Sequence, residues 1–288
     1  MSRASRLPSL LLLLILFFTL SSFSNPSRAA TDTFIFGGCS QLRFAPGSAY
    51  ESNLNSLLTS FVNSATYSSF NKFTIYGSSS QDVVYGLYQC RGDLSMPDCS
   101  SCVAHGVSQI GILCSSCTGG ALQLQGCFIK YDNTSFLGVE DKTVVLKKCG
   151  PPVGYDSDLL SRSDAVLNGL TNNGGGLFRV GGSGEVQGMA QCVGDLSTGA
   201  CQDCVSSAIE RLRSDCGAAA YGDMFLAKCY VRYSTSGDYS KASRDSSQGD
   251  DTSKNLAIII GILAAVALII IFVSFISRAM ERNKGGGK

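Results

Sequence analysis

Residues 90–102 read CRGDLSMPDCSSC, and residues 192–204 read CVGDLSTGACQDC. The two stretches share three cysteines and the Gly-Asp-Leu-Ser between the first two, at an offset of 102 residues. The match continues downstream: Cys90, Cys99, Cys102, Cys114 and Cys127 return as Cys192, Cys201, Cys204, Cys216 and Cys229. Both copies therefore have the spacing C-x8-C-x2-C-x11-C-x12-C, and the last cysteine opens CFIKY in one and CYVRY in the other. Repetition at one fixed offset identifies a tandem duplication. Each copy has a further cysteine upstream, Cys39 and Cys149, with a different lead-in.

All 13 cysteines of the chain lie between residues 39 and 229. That confinement fits an oxidising, extracytoplasmic compartment. Six cysteines per copy predict three bridges each, and spacing alone does not choose among the fifteen pairings that six allow. Cys117 is left over, because Ala219 stands at the matching position of the second copy. It is an inert buried thiol, a link between molecules, or an exchange partner of Cys114.

Apolar periodicity predicts helices over 52–65, with Leu54, Leu57, Leu58, Phe61 and Val62 on one stripe, and over 157–170. Two more are expected over 99–113 and 200–213, with Asp98 as N-cap of the first and Gly199 just ahead of the second. Strands are expected over 73–76, 83–89, 121–131, 143–147 and 178–180. The fold class is α+β: two tandem disulfide-rich modules, each an antiparallel sheet with two packed helices, followed by one transmembrane helix. The modules are assigned to residues 31–143 and 144–233. A core this small leans on its disulfides, each of which adds about 2–4 kcal/mol by constraining the unfolded chain.

The transmembrane helix is residues 256–276, LAIIIGILAAVALIIIFVSFI, 21 residues without a charge, amide or proline. As a helix it measures about 31 Å, the thickness of a bilayer's hydrocarbon core. Residues 277–288 form a tail with four basic residues and one acidic, which the positive-inside rule places in the cytosol. Residues 1–30 read as a signal peptide: Arg3 and Arg6, a short apolar run, then small residues ending in Ala29 and Ala30. Residues 234–255 are a polar, flexible extracellular stalk. Gly261 and Ala265 make a small-xxx-small pair, which predicts self-association through the span. Residues 31–254 carry 16 Lys or Arg against 21 Asp or Glu, which excludes the concentrated basic surface a nucleic acid requires. Asn133-Thr134-Ser135 is a glycosylation sequon.

Catalytic readings are weak. His105 is the sole histidine, and a dyad with Cys99 or Cys102 fails once those sulfurs are bridged. The paired CxxC spacings are those of redox and zinc motifs, but secretion and the surrounding cysteines favour structural bridges. Gly174, Gly175 and Gly176, then Gly181, Gly182 and Gly184, lack the Gly-Lys-Ser/Thr ending of a phosphate loop and read as a turn between strands. No enzyme activity, metal or cofactor is expected.

The doubled C-x8-C-x2-C with GDLS inside it, and the CFIKY-like text beyond, closely resemble plant cysteine-rich modules of the ginkbilobin type. Two such modules with one span and almost no cytosolic tail resemble the plasmodesmata-located proteins. The resemblance implies two helices against an antiparallel sheet and the pairing Cys39–Cys114, Cys90–Cys99 and Cys102–Cys127, then Cys149–Cys216, Cys192–Cys201 and Cys204–Cys229. It leaves Cys117 alone. It also implies residence in the plasma membrane at plasmodesmata, control of cell-to-cell movement linked to callose, association with other family members, and docking of viral movement proteins. The runner-up is a kinase-free surface receptor for a cell-wall glycan. In a single-module antifungal relative that binds mannose, the sugar site uses Asn, Arg and Glu. The matching positions here are Ser40, Ala121 and Asp132, then Gly150, Asp223 and Ser234. Only Asp132 keeps its acceptor and no basic group stands among them, so mannose binding is not expected there.

Overall fold

The structure, a computed structural model, describes residues 31–154, 156–172 and 176–235. The signal peptide, most of the stalk, the apolar span with Gly261 and Ala265, and the tail lie outside the described residues. Among the described residues no helix is long and apolar enough to cross a membrane.

The first module runs β1 (Phe34–Cys39), α1 (Ala49–Ser64), β2 (Phe70–Ile75), β3 (Val84–Cys90), α2 (Met96–Leu113), β4 (Gly119–Leu124) and β5 (Cys127–Asp132). The second repeats it with β6 (Val144–Cys149), α3 (Ser157–Asn172), β7 (Phe178–Ser183), β8 (Val186–Cys192), α4 (Thr198–Cys216), β9 (Tyr221–Leu226) and β10 (Cys229–Ser234). The sheets are antiparallel, in the orders β1-β4-β5-β3-β2 and β6-β9-β10-β8-β7. The offset of 102 survives into the register: Cys90 pairs with Cys127, and Cys192 with Cys229.

Alternation along each strand turns one set of residues to the helices. In the first core Leu54, Leu57 and Phe61 of α1 and Cys102, Val103 and Ile110 of α2 meet Val84, Tyr88, Ile129 and Tyr131 of the sheet. In the second, Val166, Leu167 and Leu170 of α3 and Val205, Ile209 and Leu212 of α4 meet Val186, Ala190, Val231 and Tyr233. Gly86 and Gly188, one offset apart, let α1 and α3 approach their sheets. A Cβ at either would collide with Leu57 or Val166.

Several boundaries differ from the sequence reading, for local reasons. Residues 121–131 are two strands, because Gln125-Gly126 folds the run into the β4–β5 hairpin. The N-cap of α2 is Ser95, whose hydroxyl accepts from the Asp98 N–H; Asp98 sits in the first turn behind Pro97. Ser197 does the same for α4, ahead of Gly199. Gly181 and Gly182 belong to β7, and of the second trio Gly184 alone takes the positive φ of the turn to β8, while Gly174 and Gly175 lie outside the described residues. Strand β1 was not anticipated.

Candidate functional site

The six bridges follow from the register. Cys99 and Cys102, three residues apart, point from one face of α2, where Cys90 and Cys127 lie side by side on β3 and β5. The helix is therefore stapled to two adjacent strands, by Cys90–Cys99 and Cys102–Cys127. Its C-cap, Cys114, is joined to Cys39 at the end of edge strand β1. The second module has Cys192–Cys201, Cys204–Cys229 and Cys149–Cys216 in the same places. Cys117 is a free, buried thiol. His105 lies on the exposed side of α2, its Nδ1 3.2 Å from Asp32 and its Nε2 2.7 Å from Gln109, with no free sulfur beside it. Among the described residues no His, Cys, Asp and Glu group could hold a metal.

The modules meet on the sheet faces that the helices leave uncovered, and the contact is reciprocal. Gln89 and Gln191, one offset apart, reach in opposite directions. Gln89 Oε1 accepts from the Gly194 N–H at 2.9 Å, and Gln191 Nε2 donates to the Cys90 carbonyl at 2.9 Å. Phe178 covers Gly92 and Phe70 covers Gly194, with no room for a Cβ at either glycine. The rings of Phe36 and Phe225 meet edge to face at 5.7 Å. Arg232 is buried, forms a two-bond pair with Asp223 at 2.8 and 3.1 Å, and donates to Gln125 of the first module at 2.8 Å.

The linker between modules is clipped to the same seam. Lys228, in the turn between β9 and β10, is paired with Asp195 at 2.6 Å, and the two side chains are 2% and 0% exposed. Lys228 also donates to the Phe136 carbonyl, and Asp195 Oδ2 accepts from the Gly138 N–H. Burial pulls the Lys228 pKa down, against the opposing pull of Asp195.

Beside the seam lies a cavity of about 340 Å³, bounded by residues 36–40, 119–121 and 130–132 and by Val145. It gathers Ser40, Ala121 and Asp132, the three positions carried over from the mannose-binding relative. None of those three positions is basic, but Lys130 stands in the same wall. Its signal was in the sequence: the fourth letter of CFIKY and CYVRY is basic in both copies. Ser40 is already committed, donating to the Leu42 carbonyl and accepting from the Gly119 N–H, both at 3.0 Å. In the second module the equivalent place is closed. Asp223 is occupied by Arg232, Ser234 is buried, and Tyr221 crowds Gly150. Asn133 follows β5 in a bend at the end of the cavity strand, half-buried, with its N–H bonded to the Thr118 carbonyl.

Residues 38–134 and 154–236 match the family model described as salt stress response/antifungal. The chain is 62% identical to plasmodesmata-located protein 7 of Arabidopsis thaliana, over 97% of this chain and 95% of that protein. It is 58% identical to plasmodesmata-located protein 6 of the same plant, over 90% of this chain and 93% of that one. Two crystal structures of tandem DUF26 ectodomains from Arabidopsis thaliana cysteine-rich receptor-like proteins are similar. That of PDLP5 has a TM-score of 0.67 at 50% identity and covers 70% of this chain and 99% of that one. That of PDLP8 has a TM-score of 0.69 at 42% identity, covering 72% of this chain and 100% of that one.

Proposed function

Because this chain belongs to the plasmodesmata-located proteins, a family of non-catalytic, receptor-like paired modules, we propose that it sits in the plasma membrane at plasmodesmata and regulates traffic between cells. In this reading residues 1–30 are removed, the two modules face the wall, residues 256–276 span the bilayer and the tail is cytosolic. Callose deposition is the response it controls, and Gly261 and Ala265 bring two spans together in homo- or hetero-oligomers. Viral movement proteins use it as a docking partner. The supporting observation is that similarity to relatives named for plasmodesmata runs over nearly the whole chain rather than over the modules alone. A full-length chain tagged at its C-terminus is expected to give puncta that coincide with callose at walls between cells, and to reduce dye movement when overproduced. A uniform rim around the cell with unchanged dye movement overturns the proposal.

A second reading, contact with a cell-wall glycan, is favoured by Lys130 in the cavity wall, which supplies a charged donor beside the Asp132 carboxylate. Saturable binding to wall polysaccharide that Lys130→Ala reduces at least tenfold supports it. Binding unchanged by that substitution removes the cavity from consideration.

A further inference from the structure

Three cysteines converge at the C-terminal end of α2, and this arrangement exists in the first module only. Cys114 is bridged to Cys39, and the free thiol of Cys117 follows three residues later. The Cys117 N–H donates to the Cys114 carbonyl at 3.0 Å. That bond closes a β-turn, which holds its end Cα atoms within about 7 Å. A disulfide spans a Cα separation of about 4.4–6.8 Å, a range that overlaps the separation across such a turn. The Tyr131 hydroxyl lies 3.5 Å from the Cys114 carbonyl and 3.3 Å from the Cys117 carbonyl, which fixes both cysteines to one point of the sheet. Within the turn Ser116 has φ +62°, the one non-glycine residue with positive φ among the described residues. Such a conformation costs about 1–3 kcal/mol and persists where surrounding structure imposes it.

The three sulfurs also differ in access. Cys39 is exposed at the end of edge strand β1, whereas Cys114 and Cys117 are buried. We propose that Cys39, Cys114 and Cys117 form a thiol–disulfide exchange switch. The Cys117 thiolate attacks the Cys114 sulfur, the Cys39–Cys114 bond breaks as the Cys114–Cys117 bond forms, and Cys39 leaves as a thiolate. The proton given up by Cys117 is balanced by the one Cys39 takes from water. One disulfide is exchanged for another and one thiol for another, so no oxidant or reductant is consumed. Water around Cys39 stabilises the leaving thiolate, which favours this direction of attack. The result frees β1 from α2 and puts a reactive thiol at the rim of the cavity, since Gly38, Cys39 and Ser40 are part of its wall. The second module lacks the device, because Ala219 replaces the attacking sulfur.

The test is alkylation of the native full-length chain at pH 8.5, followed by denaturation and peptide mapping by mass spectrometry. The expected result is label on Cys39 that increases with time, together with a Cys114–Cys117 bridge. In Cys117→Ala, which installs the second module's own residue, label on Cys39 is expected to fall at least tenfold. A wild-type chain in which Cys39 stays bridged to Cys114 throughout overturns the proposal, as does equal labelling of Cys39 in Cys117→Ala. Cys39→Ser leaves Cys114 and Cys117 both as thiols, and oxidation by molecular oxygen or a glutathione disulfide buffer then tests whether the turn admits a bond between them. A Cys114–Cys117 bridge in that variant supports the switch, and alkylation of both sulfurs overturns it. If Cys39→Ser does not fold, the comparison of wild type with Cys117→Ala still decides.

Discussion

The two modules share one sheet order, one register and one set of bridges, yet at three places they solve the same problem with different residues. At the end of the first helix of each module, the first module uses Tyr88, whose hydroxyl accepts from Ser64 and donates to the Ser68 carbonyl. In the second module Ala190 stands in that place, and its cross-strand partner Arg179 does the work instead. The buried guanidinium donates to the Leu170 and Thr171 carbonyls at the end of α3, to Gly176 and to Gln202. At the GDLS loop, Asp93 is paired with Arg91 at the surface, whereas its counterpart Asp195 is paired with Lys228 inside. At the sheet face, the cavity around Lys130 is open while the equivalent place is filled by Arg232 and Asp223. The duplication preserved what the backbone requires, and side chains diverged wherever another side chain could satisfy the same groups.

The shared part predicts equality, and the largest effect. Cys102–Cys127 and Cys204–Cys229 both close 25 residues of sequence. A loop of that size corresponds to about 3.5 kcal/mol of unfolded-state entropy for either bridge. Replacing each pair by alanine should cost the same within about 1 kcal/mol, read from denaturant titration of each variant. A markedly cheaper second bridge would mean that Arg179 and the seam carry stability the first module draws from its sulfurs.

Divergence at the GDLS loop predicts inequality next. Asp195→Asn leaves the buried Lys228 ammonium uncompensated, at an expected cost of about 3 kcal/mol. Asp93→Asn acts on a carboxylate that is 46% exposed and should cost under about 1 kcal/mol. Comparable losses at the two sites would show that the linker clip contributes nothing. The same logic, at smaller scale, applies to the helix ends. Arg179→Ala should lose about 2 kcal/mol by stranding the α3 carbonyls. Arg179→Asn combined with Ala190→Tyr, which installs the first module's pair, should recover part of it. No recovery would mean that the two solutions are not interchangeable.

How much of this was legible depends on what kind of residue carried it. Helix stripes spoke plainly, because apolar periodicity leaves few alternatives, and the cysteines showed the repeat, while their pairing came from the family resemblance rather than from spacing. The repeated GDLS was visible as text but not as physics. Its glycine is explained by a phenyl ring from the other module, its serine by an N-cap, and its aspartate by partners that differ between copies. Arg179 and Lys228 were invisible because a charged residue in a strand or turn reads as solvated; only the packed structure shows them buried. Strand β1, FIFGGC, was missed because half its letters are glycine or cysteine, and its pairing is supplied by β4 more than eighty residues later. The cavity's Lys130 was in view but stood outside the three positions carried over from the sugar-binding relative.

The smallest predicted effect is in pH, and it separates the two ion pairs without removing either acid. Burial holds the Lys228 pKa below its ordinary value near 10.5, whereas the first module's pair contains no lysine. Between the folded and unfolded values of Lys228 the unfolded chain binds more protons, so this lysine makes stability rise with pH in that window. Tyr50, Tyr131 and Tyr230 act in the opposite sense. Burial raises each of them, so their contribution is intact below pH 10 and is lost as pH climbs toward their folded values. The lysine is therefore isolated by difference. Unfolding free energies of wild type and Lys228→Met, measured from pH 8 to pH 10, should diverge in slope, with the wild type gaining relative to the variant as pH rises. Parallel slopes would mean that Lys228 keeps its proton throughout and that Asp195 outweighs burial at the clip.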